Sequence, residues 1–391
     1  MNTSFSSLNT FISILFDTNQ QLFIDSCQNG NHELVGLLLE FCAYHNDFIH
    51  NAIRYASERG HIAVVDRLLQ EPKNRVDPSA DNNFAIRYAS EYGHIAVVDR
   101  LLQEGRVDPS AGNNYVIYIA SKNGHIDVVD RLLQEGRVDP SANNNSAIRW
   151  ASTNGHIAVV DRLLQEDRSR VDPSADNNHA IRGASYNGHI AVVDRLLQEG
   201  RVDPSADDNY AIRWASYNGH IAVVDRLLQD GRVDPSANNN FAIRGASEKC
   251  HIAVVDRLLQ DGRVDPSAGN NHAIRYASDN GHIAVVERLL QEDRSRVDPS
   301  ADNNHAIRSA SYNGHIAVVD RLLQDGRVDP SADNNYAIRS ASYKGHIAVV
   351  DRLKQYRPRV NFVNSLIQYV HLYLLNITYY YGLFTNPDLP H

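Results

Sequence analysis

The sequence predicts an all-α protein, a solenoid of about 11 stacked helix–turn–helix repeats with degenerate caps at both ends. The first observation is a motif, A-I-R-x-A-S-x-x-G-H-I-A-V-V-D-R-L-L, that returns every 31 or 33 residues from about residue 51 to residue 355. A fixed period of roughly 20 to 50 residues is typical of stacked repeats rather than of one globular core. The second observation is helical spacing of the apolar residues, and the third is the regular placing of Gly and Pro between them.

The two ends of the chain depart from this motif. Residues 1–20 are rich in Ser, Thr and Asn and are predicted to be an irregular leader. Residues 21–50 are interpreted as a degenerate N-terminal capping repeat with Gly30-Asn31 at the place of Gly-His, because the outer face of a terminal repeat meets water. Residues 51–356 are the predicted array, and residues 357–391 a predicted apolar C-terminal capping helix and tail.

The first helix of a standard copy is predicted from Phe84 to Tyr92. Asn82 or Asn83 suits its N-cap, and Gly93 suits the position just after its end. Small side chains along it allow close packing against the next repeat. Neither this helix nor its partner could bury an apolar face alone, so the repeats must stack.

The second helix is predicted from Ile95 to Gln103, and Gly105 ends it. Its apolar residues recur near the helical period and form one broad stripe, which consists of Ile95, Val97, Val98, Leu101 and Leu102. Pro109 cannot continue a helix because it lacks an N–H group, so Val-Asp-Pro-Ser starts a reversal of the chain. Asn113 and Asn114 fit a tight tip, since Asn tolerates a left-handed backbone.

This succession of two helices and a turn, with the pattern A-x-x-x-G-H-x-x-V-V-x-x-L-L, resembles the ankyrin repeat over about residues 21–355. The chain departs from the family where Thr-Pro-Leu-His is usual, with residues such as Tyr210-Ala-Ile-Arg213, and most units are two residues short before Val-Asp-Pro-Ser. We therefore expect the usual Thr–His hydrogen bond to be absent and the projecting finger to be blunter. The repeated AIR-x-AS and VDPSADNN segments also resemble arrays encoded by large DNA viruses of amoebae.

The resemblance implies a non-enzymatic scaffold that binds protein partners through the concave face and loop tips, as a monomer and without a cofactor. A viral origin would imply a host protein as the partner. Nucleic acid is not an expected partner, because the net charge is −9, the pI is near 6.0 and opposite charges alternate in every copy. The cysteines, Cys27, Cys42 and Cys250, are too few and too far apart for a disulfide framework or a zinc set. They fit a reducing, cytoplasmic compartment, and no Lys or Arg precedes the apolar patch at residues 11–16 as a secretory signal requires.

Catalytic and metal chemistry find no support in the motifs. The sequence has no glycine-rich phosphate loop, no His-Glu-x-x-His and no nucleophile elbow, so no catalytic residue is predicted. One histidine per repeat cannot complete a zinc site, because packed helices lie about 8–10 Å apart and zinc needs its nitrogens within about 2.1 Å. We predict that these histidines, like His179, His272 and His305, have structural hydrogen bonds. The repeated Arg and Asp, such as Arg54, Arg87, Asp66, Asp99 and Asp130, are expected to form a ladder of ion pairs.

Two positions of the first helix vary between copies. The residue two places before each Gly-His glycine is large or charged in many copies, and a contact stripe there would bind a partner through Tyr186, Tyr217, Tyr312, Tyr343, Glu91 and Lys122. Unselected surface variation is the alternative. The residue after each AIR arginine ranges from Trp to Gly, which favours packing between repeats over recognition. Cys250 replaces a turn glycine and is expected to cost roughly 1–2 kcal/mol if the backbone there is left-handed.

The C-terminal segment has three interpretations. Residues 360–387 contain no Asp, Glu, Lys or Arg, and a run of about 20 apolar residues suffices to span a membrane. Asn and Gln interrupt the run, so a capping helix is favoured over membrane contact or a partner-docking segment. The alternative function is therefore a membrane-tethered array anchored by residues 360–384.

Overall fold

The computed structural model describes residues 20–41, 46–72 and 75–356, and the chain divides into two compact units, Met1–Val264 and Asp265–His391. Throughout these described ranges the regular elements are helices, with no strand. Residues 20–28 are helical (α1) and precede ten first helices and eleven second helices. The first helices are α3 (Asn46–Glu58), α5 (Ala80–Glu91), α7 (Ala111–Asn123), α9 (Ala142–Thr153), α11 (Ala175–Tyr186), α13 (Ala206–Tyr217), α15 (Ala237–Glu248), α17 (Ala268–Asp279), α19 (Ala301–Tyr312) and α21 (Ala332–Lys344). The second helices are α2 (His32–Phe41), α4 (Ile62–Leu69), α6 (Ile95–Glu104), α8 (Ile126–Glu135), α10 (Ile157–Leu164), α12 (Ile190–Glu199), α14 (Ile221–Leu228), α16 (Ile252–Leu259), α18 (Ile283–Leu290), α20 (Ile316–Asp325) and α22 (Ile347–Gln355).

Each unit is a stack of helix pairs in two layers. In the first unit the first helices α3 to α15 pack side by side, and the second helices α2 to α16 do the same. In the second unit α17, α19 and α21 form one layer, and α18, α20 and α22 form the other. With α1 and α2 as a pair, the described residues contain 11 helix pairs, which confirms the predicted all-α, ankyrin-type solenoid.

The apolar stripe of the second helices forms the core. Val97, Val98 and Leu101 are fully buried in α6, and Leu102 is 4% exposed. The same four positions are buried in every second helix from α4 to α20. Ile95, predicted as part of the stripe, is only half-buried at the first turn. Burial of such a side chain contributes about 1.5–3 kcal/mol, against about 0–1 kcal/mol for an exposed ion pair, so apolar contact drives the stacking.

The Val-Asp-Pro-Ser segment makes a hydrogen-bonded turn. The N–H of Ala111 donates to the carbonyl of Asp108 at 3.2 Å. One carboxylate oxygen of Asp108 accepts both the N–H and the hydroxyl of Ser110, at 2.9 and 2.6 Å. These donors, the hydroxyl first, hold the pKa of the Asp108 carboxyl below its usual range. The same Asp–Ser pair recurs in each turn and fixes where the next first helix begins.

A left-handed triplet opens each first helix from α5 onward. Asp81, Asn82 and Asn83 have φ values of 51°, 60° and 61°, and three consecutive residues repeat this in nine first helices. The bounds Ala80–Glu91 include this left-handed triplet as a kink, so the continuous right-handed turns begin only after Asn83, at the predicted Phe84. Most side chains strain a left-handed backbone by roughly 1–2 kcal/mol, whereas Gly, Asn and Asp adopt it readily. This requirement explains why the nine triplets contain only those three residue types.

The last Asn of the triplet also joins adjacent repeats. In the first unit the side-chain oxygen of Asn209 accepts the N–H of Asp234 at 2.7 Å, and Asn209 is 9% exposed. The other bonds of this kind join Asn83 to Asp108, Asn114 to Asp139, Asn145 to Asp172, Asn178 to Asp203, Asn271 to Asp298 and Asn304 to Asp329. Each satisfies a backbone donor that the proline turn leaves without a helical partner.

The Gly-His pair sets the register between repeats. Gly188 has φ +79°, and a Cβ built there would lie 2.5 Å from Nδ1 of His220 in the next repeat. The Nε2 of His220 donates to the carbonyl of Tyr186 at 2.9 Å, and the amide of Asn218 donates to the same oxygen. The glycine is therefore needed both for its backbone conformation and for the approach of the neighbouring ring.

Two further ladders use arginine. In the second helices Arg226 pairs with Asp194 of the preceding repeat at 2.5 Å, and in the turns Arg232 donates to the carbonyl of Val202 at 2.9 Å. The predicted ladder through Asp66, Asp99 and Asp130 exists, with the partners Arg100, Arg131 and Arg162. The AIR arginines behave differently: Arg182 pairs with Asp207 of the next triplet, and Arg213 donates to the carbonyl of Asp208 in its own triplet.

The terminal regions are described in part. Residues 20–41 form a helix pair in which Gly30, at φ +78°, contacts the ring of His61 just as the array glycines contact the next histidine. At the other end Leu353 is 9% exposed, while Ile347 is 72% exposed and Lys354 lies in the open. The leader at residues 1–19 and the capping helix or anchor predicted within residues 357–391 lie outside the described residues.

Candidate binding face on the first helices

Because four inter-repeat ladders use most polar positions of the motif, the variation in side-chain size and chemistry is concentrated on one face of the first helices. Three of the positions that vary most are spaced i, i+4 and i+7, which places them on one side of the helix. We call them the first, second and third variable positions. In α13 they are Tyr210, Trp214 and Tyr217. First helices pack on first helices, so the variable positions of successive repeats lie next to one another within a unit.

All six residues predicted for partner binding occupy the third variable position. In the first unit Tyr186 is 41% exposed, and Glu91, Lys122 and Tyr217 are half-buried. In the second unit Tyr312 is 37% exposed and Tyr343 is 88% exposed. In four of these residues the backbone carbonyl accepts a hydrogen bond from the Nε2 of the Gly-His histidine in the next repeat, which fixes the helix end in place. These four residues are Glu91, Lys122, Tyr186 and Tyr312.

Tyr217 belongs to an aromatic cluster. Its ring lies 5.2 Å from that of Trp214 and 6.1 Å from that of Phe241 between centroids. Trp214 also contacts Tyr186 at 5.9 Å and Tyr210 at 5.8 Å. Rings at these separations attract each other in offset or edge-on geometry. Trp214 at the second variable position therefore packs between repeats, which is the interpretation that the sequence favours for this position. The same ring also contacts the candidate side chains Tyr186 and Tyr217.

Cations rest on several of these rings. The guanidinium of Arg182 lies 5.2 Å from the centroid of Tyr210, and that of Arg213 lies 5.6 Å from Phe241. The ammonium of Lys249 lies 5.0 Å from Tyr217, and that of Lys344 stands at 4.5 Å over Tyr312 in the second unit. Sequence reasoning missed these contacts. The spacing in the sequence could have predicted the two lysine contacts. Lys249 follows Tyr217 by 32 residues and Lys344 follows Tyr312 by 32 residues, which is about the length of one repeat.

Raised pKa values keep two tyrosines of this face, Tyr115 and Tyr210, neutral. Burial, followed by the neighbouring Tyr186, raises the pKa of Tyr210. Burial and then the Glu91 carboxylate raise the pKa of Tyr115. The side-chain hydrogen bond to Tyr217 raises the pKa of Lys249, which therefore stays charged. Aromatic rings and neighbouring cations occur together on this face, and interfaces between proteins are enriched in Tyr, Trp and Arg.

The remaining candidates have structural positions. The Gly-His histidines bond to backbone carbonyls, and within the described ranges no group of three His, Cys, Asp or Glu side chains is arranged to hold a metal. Cys250 keeps the left-handed backbone of the glycine it replaces, with φ 64°, and is exposed. Among the residues that the structure describes, which do not include 360–384, no helix is long and apolar enough to cross a membrane.

Comparison with known proteins agrees with this architecture. A family model described as ankyrin repeats (3 copies) matches residues 22–113 and 88–178. No curated protein matches the chain. Residues 22–178 thus contain ankyrin repeats, which indicate a module for protein–protein interaction, and proteins of this type are generally non-enzymatic scaffolds.

Proposed function

We propose that the protein is a non-enzymatic scaffold that binds a protein partner through the variable face of its first helices and the adjacent loop tips. The observation that carries the proposal is the concentration of large and varied side chains on that face, while most of the repeated polar positions form contacts between repeats. Tyr186, Tyr312 and Tyr343 are exposed there, and a histidine of the next repeat holds the helix ends that carry Tyr186 and Tyr312 in place. Exposed tyrosines on a rigid surface bind partners at a low cost in side-chain entropy.

The chain is proposed to act as a monomer without a cofactor, with Glu91 and Lys122 as flanking contacts and Tyr217 as support. Its similarity to arrays of large DNA viruses of amoebae suggests a host protein as the partner and an adaptor role in the host cytoplasm. The similarity lies in the AIR-x-AS and VDPSADNN segments, which the structure explains as inter-repeat contacts. The similarity of these segments is therefore an argument about the origin of the chain, whereas the variable face is the argument about which partner it binds.

The proposal is tested by affinity capture with the full chain and a triple variant, Tyr186→Ala, Tyr312→Ala and Tyr343→Ala. A hot-spot tyrosine that contributes about 2 kcal/mol weakens binding about thirtyfold when truncated. We expect proteins captured by the parent to be lost from the triple variant. Tyr217→Ala is measured separately, because its loss also disrupts packing against Trp214 and Phe241.

The matched control truncates exposed residues on the opposite layer, with Gln165→Ala, Gln198→Ala and Gln324→Ala on or just after second helices. This control should retain every captured partner. Equal capture by the parent and the tyrosine variant would refute the assigned face. Parallel loss from both variants would point to a general defect in folding instead of a contact stripe.

A further inference from the structure

Two small openings lie at the same place in two different repeats of the variable face. One is in the first unit and one in the second, with volumes of about 360 and 230 Å³. In each opening a His occupies the first variable position, a small residue the second and a Tyr the third. Another Tyr occupies the first variable position of the next repeat. The first opening is lined by Thr153, His179, Arg182, Gly183, Tyr186 and Tyr210, and the second by Asp279, His305, Arg308, Ser309, Tyr312 and Tyr336.

Other repeats show what normally fills this place. The ring of Tyr276, at the second variable position, stacks on His272 of its own helix with centroids 3.9 Å apart and an interplanar angle of 12°. Its other neighbour is His305 of the next repeat, at 6.4 Å. Trp214 is sandwiched in the same way, between Tyr210 at 5.8 Å and Phe241 at 5.4 Å. An aromatic ring at the second variable position therefore lies between the first variable residues of two successive repeats.

A ring from the preceding repeat can also cover the gap. Gly245 has no side chain, and the ring of Tyr217 lies 3.0 Å from where its Cβ would be. At the two openings both sources of a ring are missing. The second variable residues are Gly183 and Ser309, and the preceding third variable residues are Thr153 and Asp279.

The charges around the openings favour a neutral occupant. Arg182 is paired with Asp207 at 2.7 Å, and Arg308 with Asp333 at 2.6 Å, so neither guanidinium offers an unpaired charge to an anion. Asp279 at the second opening opposes an anion further. A cation would find no carboxylate in the lining of the first opening, so the feature common to both openings is a lack of unpaired charge. The volumes lie at or below the lower end of the roughly 300–1,000 Å³ typical of drug-sized ligands, which suits one side chain better than a cofactor.

The two histidines also share an unused polar atom. Within the described residues Nδ1 of His179 and Nδ1 of His305 are buried and have no hydrogen-bond partner. Buried polar atoms are nearly always hydrogen-bonded in folded proteins. An occupant that brings a hydroxyl group next to the imidazole would supply the missing partner in either tautomer, because a hydroxyl both donates and accepts.

We propose that each opening binds one aromatic side chain of a partner polypeptide, with the ring inserted between the histidine and the tyrosine of the next repeat. The guest ring takes the place that Tyr276 occupies over His272. This inference rests on the proposed scaffold function and adds the chemistry of what is recognised: a partner carrying tyrosine or a similar ring with a polar edge. Stacked or edge-on rings then hold the side chain, and Arg182 or Arg308 closes the rim.

The test uses N-acetyl-L-tyrosinamide as the probe and the full chain with ¹³C-labelled histidine. Two imidazole signals, from His179 and His305, are expected to shift as the probe is added, while N-acetyl-L-leucinamide leaves them in place. Thr153→Tyr supplies the ring that Tyr217 places over Gly245, and Ser309→Tyr supplies the ring that Tyr276 places over His272. Each is expected to weaken the probe's effect on its own histidine at least tenfold and to spare the other.

Matched variants keep the openings empty: Thr153→Ser and Ser309→Ala should bind the probe as the parent does. The proposal is overturned if the probe shifts neither signal, if leucinamide shifts them equally, or if the filled variants respond like the parent. Should a tyrosine variant lose its helical circular dichroism, intermolecular nuclear Overhauser contacts between the probe ring and the two imidazoles of the parent decide the question, and their absence overturns it. The probe titration involves no protein partner, so a negative titration does not refute the scaffold proposal. In the same way, a failed capture experiment does not refute a positive titration.

Discussion

At the scale of single residues, glycine is needed for two different reasons: a left-handed backbone, and space for the ring of a neighbouring histidine. Gly188 and Gly200 have nearly equal φ values of +79° and +77°. A Cβ at Gly188 would lie 2.5 Å from the ring of His220, whereas a Cβ at Gly200 would meet nothing within 4 Å. The backbone conformation alone therefore explains Gly200, while Gly188 is also required by the next repeat.

This pair gives a matched prediction. Gly200→Ala should destabilise the protein by about 1 kcal/mol through its backbone alone. Gly188→Ala should cost at least about 1 kcal/mol more, because His220 must shift and its bond to the Tyr186 carbonyl is lost. The measurement is the urea midpoint followed by circular dichroism. Equal shifts for the two variants would contradict the claimed contact.

Cys250 provides the reverse experiment at the same scale. It holds φ 64° at a position where the other copies have glycine. Cys250→Gly should stabilise the protein by about 1 kcal/mol, since glycine adopts this conformation without the steric cost of a Cβ. Cys250→Ser retains the Cβ and should bring no gain in the thermal midpoint. A serine variant as stable as the glycine variant would show that strain is not the cause.

At the scale of elements, the left-handed triplet determines both the start of a first helix and its bond to the neighbouring turn. Asn209→Ala removes the acceptor of the Asp234 N–H and places alanine at φ 59°. The expected cost is about 2–4 kcal/mol, from the orphaned donor and the backbone strain together.

Asn209→Asp is its control, because aspartate keeps an acceptor oxygen and tolerates the same backbone. The aspartate variant should lose much less stability in urea unfolding than the alanine variant. Hydrogen exchange of the Asp234 amide gives a second measurement, which should rise in Asn209→Ala. An unchanged exchange rate there would be inconsistent with the inter-repeat bond.

At the scale of the whole molecule, half-buried histidines couple stability to pH. Burial, followed by Arg149, lowers the pKa of His179; burial, followed by Arg275, lowers that of His305; and burial also lowers that of His189. A histidine whose folded pKa lies below its unfolded value of about 6.5 favours folding in its neutral form. Its contribution is complete above that unfolded value and is lost as the pH falls through the folded one.

The parent should therefore lose stability between about pH 7 and pH 5. A double variant, His179→Gln and His305→Gln, should show a shallower loss over the same interval in urea midpoints measured at matched ionic strength. Parallel pH profiles for the two proteins would exclude these histidines as the source. The carboxyls with lowered pKa, such as Asp108 and Asp230, act at lower pH, because their contribution disappears only as they become protonated.

The amino-acid sequence determined the helix pairs, their approximate bounds and the buried stripe of Val and Leu, because periodicity and the placing of Gly, Pro and Asn are local signals that each copy repeats. It also placed the six candidate residues at one register position. Only the tertiary structure determined which partner each charged group has. Several near-identical copies contain an arginine that could pair with Asp66, and the stacking of the repeats places Arg100 next to it. The tertiary structure alone revealed the two openings, because an opening depends on the side chains of two successive repeats at once. Whether a ring fills that space is a property of the packed neighbours, which no single copy of the motif contains.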